Sequence, residues 1–555
     1  MMQYIIPLYA IFFFTSLLMP IAIRSAACIG IMDCPDSRKI HKKPIPRTGG
    51  IVIAFCVLLL YFFVTDISSF SVGYICGGVI IFFCGIADDW RTLTYKWKFL
   101  LQGVSALFFI LISGNSIDFI GVFIPGLSLY TQMLRIPLNV LFIIATINII
   151  NLSDGLDALA AGLSIIILMC ISFLAYTSSN IPVLYLSIIM IGSLLGFLRF
   201  NVFPASIFMG DTGSQFIGYT LGVSLISITQ RESIYSPLIS LFVLGMPIID
   251  TFYVMYFRIS NGKHPFLPDK NHIHHKLINM GIAQDKSVAI IYTMHFFLIM
   301  CGWFLRLKPY YFLFAAYIFI FIIFFSIIRY GFTNDFMRKI FFSGENIQIK
   351  LSKNYNYFFS RLFFSKIVWN LFFICLGCYY FSAPLLAEKI DYNILILLFF
   401  LSISFFMLYS FRIIVNTAWV KFFFYVITLF VVVYFRSNLL FNFNDTIYNV
   451  YVHDIFFVCL TVLYFLCVIF SPEKAPVNSI DYIFIVFVIF IFFIPNSISV
   501  MHQFKSIIIK TTLLGFFINL VFSRIDRNKK FIFSILIYLF ISICIRMIFI
   551  TSFSI

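Results

Sequence analysis

Charge is what this chain has least of. Only 11% of its 555 residues are Asp, Glu, Lys or Arg, against 62% hydrophobic residues and a mean hydropathy of +1.04. That balance excludes an ordinary soluble domain and makes lipid the solvent the sequence is written for. Most of the twelve cysteines lie within apolar runs, so neither a disulfide framework nor a zinc site is expected. Cys28, Cys56, Cys76, Cys84 and Cys170 read as small apolar residues in helices. The first apolar run, Tyr4 to Ile23, lacks a basic leader and a small-residue cleavage site, so a retained span is expected. Acidic residues are scarcer than basic ones, 22 against 38, for a net charge of +16. Basic loops between spans and anionic headgroups account for that excess, so no nucleic-acid partner is expected.

What is present is a succession of apolar runs, each near the roughly 20 residues a helix needs to cross a bilayer. The fold class expected is therefore all-α, a polytopic transmembrane protein. About eleven helices fall in residues 1–330, near 4–23, 50–69, 71–87, 99–113, 133–151, 156–176, 181–199, 207–226, 234–257, 287–305 and 309–330. A basic stretch at 331–366 reads as a cytoplasmic linker. A C-terminal extension, 367–555, carries about seven more runs and no legible motif.

The first connection holds Arg24, Arg38, Lys39, Lys42, Lys43 and Arg47, while the next, near Asp66, holds neither Lys nor Arg. The positive-inside rule then puts the first loop in the cytoplasm. Counting onward, 88–98, 152–155, 199–211 and 258–286 fall on the same side, and these segments hold every dense polar motif. Their shared parity predicts one site assembled from distant parts of the chain.

Asp88 and Asp89 end a very apolar helix, where two adjacent acids are costly unless a cation offsets them. They suit either a hard divalent cation or a solvated boundary. Asn148, Asn151, Asp154 and Asp157 recur every three residues, which on a continuous helix spreads them over one broad face. They read as a cavity lining or as a polar contact between helices. In Phe208-Met-Gly-Asp-Thr-Gly-Ser214, Asp211 sits between glycines that allow close backbone approach, with hydroxyls suited to phosphate or to a helix cap. His272, His274 and His275 lack the Cys or acidic ligand of a tetrahedral metal set and lie among Lys263, Lys270 and Lys276. A phosphate-binding basic loop or a solvated turn fits them. The loop from His41 to Gly50 adds bases, rigid prolines and a Gly pair, suited to one wall of an anion site.

Taken in order, Pro46-Arg-Thr-Gly-Gly50, Asp88-Asp89, Asn148 to Asp157, Phe208 to Ser214 and His272 to His275 resemble the polyprenyl-phosphate N-acetylhexosamine-1-phosphate transferases, the superfamily of the WecA and MraY types, over roughly residues 1–300. The resemblance implies transfer of a sugar 1-phosphate from a UDP-sugar to undecaprenyl phosphate with release of UMP. It implies Mg²⁺ (or Mn²⁺) as cofactor, a cytoplasmic active site in the bacterial inner membrane, and an enzyme open to homodimerisation. Carried over residue by residue, Asn151 and Asp211 look like metal contacts, and Asp88, Asp89 and Asp154 like catalytic carboxylates. Asp88 is the candidate to deprotonate or orient the lipid phosphate. Lys42, Asp157, Asn201 and Phe208 look like uridine contacts, with Arg47 also on the substrate, and His272, His274 and His275 contacts to diphosphate or sugar. The Arg38-Lys-Ile-His41 and His-Ile-His-His forms look more like the UDP-GlcNAc branch, opening a surface glycan such as O antigen, than the phospho-MurNAc-pentapeptide branch. Two departures stand out: Ala158 where the family commonly has Gly, and the C-terminal extension. A transporter, the rival of another class, would hold its polar groups near the bilayer midplane.

Overall fold

The computed structural model describes residues 2–35, 44–118, 128–230, 233–262, 264 and 272–331, all within the first of two compact units of the chain. The expected extension at 367–555 and, apart from Gly331, the expected linker at 331–366 lie outside the described residues, as does Lys42.

The described chain is helical: α1 Met2–Ile29, α2 Gly49–Val64, α3 Ser69–Arg91, α4 Tyr95–Ser113, α5 Ser128–Leu152, α6 Leu159–Thr177, α7 Ile181–Asn201, α8 Gly210–Ile228, α9 Ile239–Val243, α10 Gly245–Ser260, α11 Ile273–Asn279, α12 Gln284–Leu305 and α13 Tyr310–Ser326. A π-turn, Ile327–Gly331, prolongs α13. Eight of the helices are long and apolar enough to cross a membrane, which makes this an all-α polytopic membrane protein. Each of the eleven expected runs is helical, with one correction. The ninth, 234–257, is broken at Leu244 into α9 and α10. Two elements were not foreseen: α11 within the 258–286 loop, and a two-residue antiparallel ladder pairing Met32–Asp33 with Ile45–Pro46 in the first loop.

At the centre stands α8, whose residues are buried from Thr212 to Ile228 and which packs against α2, α3, α5 and α6. Its polar side chains are satisfied within the bundle, as lipid-buried groups must be. The Tyr74 and Thr220 hydroxyls are 3.1 Å apart, and the Tyr219 hydroxyl donates to the Tyr74 carbonyl at 3.1 Å. Side-chain Cβ atoms are missing where backbones touch. A Cβ on Gly50 would overlap the Gly213 backbone, and one on Gly85 the Thr212 backbone, so α2 and α3 both meet α8 at its N-terminal turn. Small residues permit this approach, and packing of this kind drives helix association in lipid.

The loops sort into two ends. At one, Asn115 and Asn180 both reach Ser227, and Thr177 meets Tyr235. At the other, the segments carrying the polar motifs converge, as the parity count expects.

Gly50→Ala should destabilise the protein by about 1–3 kcal/mol, because backbone lies on the far side of the new methyl and no side chain can move aside. Gly103→Ala, whose Cβ would find its nearest neighbour at 3.7 Å, should be neutral or stabilising. Thermal unfolding of the two variants in detergent checks the contrast.

Candidate active site

Asp211 occupies the first turn of α8 and is the hub of the convergent end. Its carboxylate accepts from Asn151 Nδ2 at 2.6 Å, from Lys98 Nζ at 3.3 Å and from Arg47 at 3.4 Å. These partners come from α5, α4 and the loop before α2. Lys98 also pairs with Asp88, so one ammonium bridges two carboxylates. Asp88 accepts from the Leu93 N–H at 2.9 Å and from Gln215 Nε2 at 3.2 Å. Behind it runs an amide relay, half-buried Asn148 to buried Gln102 to Gln215, with steps of 2.9 and 3.1 Å. Asp89 turns the other way and accepts from the Asp211 and Thr212 N–H groups at 2.9 and 2.8 Å.

The regular three-residue spacing of Asn148, Asn151, Asp154 and Asp157 does not describe one helical face. Helix α5 stops at Leu152, so only the two asparagines belong to it. Asp154 stands in the following turn and is exposed. Burial in the cleft first, and then the charge of Asp211, push its carboxyl up to about 7, with Arg47 pulling it back. Water on its open side screens the first of these effects and leaves repulsion between carboxylates as the durable cause. Arg47 itself is raised above its ordinary value: burial opposes its charge, and the carboxylates of Asp89 and Asp211 outweigh that.

Asp157 accepts from the Ala205 N–H at 3.0 Å. Asn201 is buried and bridges backbone, accepting from the Ala158 N–H and donating to the Ile207 carbonyl, each at 2.8 Å. Ala158 also accepts from the Tyr292 hydroxyl through its carbonyl. Its φ of +66° places it in the left-handed region, which costs an L-residue about 1–2 kcal/mol, so the departure from the Gly that the resemblance implies bears on backbone conformation. Phe208 is half-buried, and its backbone joins the first loop to the third motif. The Phe208 N–H donates to the Pro46 carbonyl at 2.7 Å, and the Gly49 N–H to the Phe208 carbonyl at 3.0 Å.

The histidines approach from α11. His272 Nδ1 lies 2.8 Å from an Asp250 carboxylate oxygen, and the other oxygen accepts from the Ile273 N–H at 2.9 Å. The rings of His272 and His274 stack at 5.5 Å, and that of half-buried His275 is 4.3 Å from His274. His274, Asp250 and Ser153 line one small cavity, which ties the histidine helix to the turn holding Asp154. Burial, opposed by Asp250, lowers His274 to about 3, so its imidazole is neutral. Burial also lowers Lys276, to about 8.

Two residues escaped the sequence reading. Lys98 is one of two lysines, with Lys96, in the short connection after the acid pair, and Asp250 is a lone acid inside the ninth run. An ionisable residue within a span is itself a signal of function, and that rule finds Asp250; nothing in the sequence separates Lys98 from Lys96.

The sequence profile described as glycosyl transferase family 4 matches residues 71–229. A probable undecaprenyl-phosphate N-acetylglucosaminyl 1-phosphate transferase of Bacillus subtilis (strain 168) is 40% identical over 286 residues, 50% of this chain and 78% of that protein. The chain belongs to that transferase family. Within glycosyl transferase family 4 it is also similar to the undecaprenyl-phosphate alpha-N-acetylglucosaminyl 1-phosphate transferases of Salmonella typhi, at 29% identity, and of Escherichia coli (strain K12), at 28%. Each of these covers 51% of this chain and 79% of the relative. The profile includes α3, α4, α5 and α8, so Asp88, Lys98, Asn151 and Asp211 all lie inside it.

The neutral His274 of this family 4 transferase makes its stability fall with acid. An unfolded chain takes up a proton near pH 6.5 that the folded site refuses until about 3. Below pH 6.5 the unfolded state therefore binds more protons, and stability present above that pH declines toward 3. Thermal unfolding at pH 7.5 and pH 5 should show this slope, and His274→Gln should flatten it.

Proposed function

We propose that this chain transfers N-acetylglucosamine 1-phosphate from UDP-GlcNAc to undecaprenyl phosphate, releasing UMP and opening synthesis of a lipid-linked surface glycan such as O antigen. The observation that carries the proposal is the arrangement around Asp211. Four carboxylates, Asp88, Asp89, Asp154 and Asp211, face two cations, Arg47 and Lys98, leaving a formal excess of two negative charges. That excess suits a divalent cation, and the cations beside it suit phosphates. The relatives named above are N-acetylglucosaminyl transferases, which favours that sugar over the phospho-MurNAc-pentapeptide alternative.

Magnesium fits the residues present. Among the described residues no three His, Cys, Asp or Glu side chains form a ready cage, and magnesium usually needs none, being held by one or two carboxylates with water and substrate phosphates. Asp211 and the amide of Asn151 would hold it. Bound there, it would neutralise charge on the diphosphate and on the departing UMP.

The chain's own groups do the rest. Joining two phosphates requires two anions to meet, and Lys98 and Arg47 offset their repulsion. Lys98, held between Asp88 and Asp211, is placed to draw in the lipid phosphate, with Asp88 orienting that phosphate or accepting its proton. A phosphate oxygen of the lipid then attacks the β-phosphorus in line, and the bond to the bridging oxygen of UMP breaks. Asp157, Phe208 and Lys42 serve the uridine. His272, His274 and His275 serve the diphosphate and sugar. A neutral His274 acts there as a hydrogen-bonding partner and not as a fixed charge. The chemistry belongs to residues 1–330, since every motif ends by His275. The basic first loop makes the convergent end cytoplasmic.

Purified protein with undecaprenyl phosphate, Mg²⁺ and UDP-GlcNAc should release UMP, and Asp211→Asn should lower the rate about 10²–10³-fold while the protein remains inserted. Release from UDP-MurNAc-pentapeptide alone, or full turnover in Asp211→Asn, would overturn the assignment. Single cysteines introduced at 41–47 and 263–275 should resist an impermeant thiol reagent in intact cells; labelling of either loop would reverse the topology.

A further inference from the structure

The two adjacent acids at the end of α3 point to different partners, and their difference assigns them different work. About 100° of helical rotation separates successive residues. Asp88 faces α4 and Lys98, whereas Asp89 faces the start of α8. There it meets a helix with an unfilled need. The first four N–H groups of any helix lack intrahelical acceptors, and the residue preceding α8, Met209, supplies no side-chain cap.

Asp89 fills that position from another helix. One carboxylate oxygen accepts from the Asp211 N–H at 2.9 Å and lies 3.7 Å from Arg47 Nε; the other accepts from the Thr212 N–H at 2.8 Å and from the Thr212 hydroxyl at 2.6 Å. Those N–H groups are the second and third of α8, the ones a conventional capping side chain would take. The Asp89 side chain is fully buried, and it accepts three hydrogen bonds with the Arg47 guanidinium as its neighbouring counter-charge. Gly210 makes the approach possible: its φ is +68°, and a Cβ there would lie 2.7 Å from both carboxylate oxygens. A negative charge at this end also meets the positive pole of the α8 dipole.

We propose that Asp89 is a positioning residue: a cap supplied in trans by α3 that fixes the first turn of α8, and with it the direction of Asp211 toward Lys98, Asn151 and Arg47. It touches neither substrate nor metal. The inference rests on the transferase reading for its consequence in turnover, but not for the cap itself.

Amide hydrogen exchange and UMP release, measured on the full chain in detergent, separate the two. Asp89→Asn sets an amide N–H₂ against two N–H donors. Thr212→Val removes one donor at nearly constant volume, and Thr212→Ser retains it. Exchange at the Asp211 and Thr212 amides should quicken in Asp89→Asn and in Thr212→Val, without Mg²⁺ or substrate, and stay as in wild type in Thr212→Ser. UMP release should fall about tenfold in Thr212→Val and further in Asp89→Asn. Because both variants damage one device, the double variant should be no slower than Asp89→Asn alone. Unchanged exchange in an inactive Asp89→Asn, or multiplying losses in the double variant, would overturn the proposal and return Asp89 to the reacting groups. Should wild type release no UMP, the transferase reading fails, and the exchange rates alone decide the cap.

Discussion

A carboxylate at the end of a lipid-embedded bundle is stable as a charge only where other groups replace the water it has lost. Asp211 meets that condition through Arg47, Lys98 and the amide of Asn151, and the rest of the convergent end is arranged to bring those three within reach. They come from three separate stretches of chain, so no local segment could form the site alone. The same satisfied charges that permit burial leave the site acidic by formal count. A region with cations already beside its acids can receive a metal and phosphates together, where a purely acidic or purely basic cleft would accept one and repel the other.

The precision of that arrangement depends on backbone and not on long side chains. The first loop is joined to the segment before α8 by hydrogen bonds between main-chain groups at Pro46, Gly49 and Phe208, and between Gly50 and Met209 at 2.8 Å. Asn201 stitches Ala158 to Ile207, and Asp157 holds Ala205. Main-chain ties leave few rotamers to freeze, so the loops of the site can be fixed at smaller entropic cost than a network of lysines and glutamates would demand. Glycines at the helix crossings allow the main chains to approach closely enough for this.

On the histidine side the logic is different. Asp250 engages His272 and the turn of α11, while His274 is buried and neutral. One wall of the cleft is thus charged and the other offers the neutral imidazole of His274.

Much of this could be read from the residues in order. Apolar runs of spanning length determined the helices, because lipid leaves the backbone no other way to satisfy its hydrogen bonds. The alternation of loops determined that Asp88, Asn151, Asp211 and the histidines share one end. Tertiary structure decided what each does there. Asp88 and Asp89 are identical and adjacent in sequence, yet one is paired with Lys98 and the other caps α8, a difference that exists only once α4 and α8 stand on either side of α3. The even spacing of Asn148 to Asp157 suggested one helical face, and α5 ends too early to provide it. Ala158 is a residue held in the left-handed region, which nothing in the pattern of the chain announces. Asp250 was passed over as a single charge among apolar neighbours, and Lys98 as one of two lysines in a basic connection. Pattern along a chain reports periodicity and local charge, whereas the partner of a buried charge is chosen by helices distant in sequence, and only their packing names it.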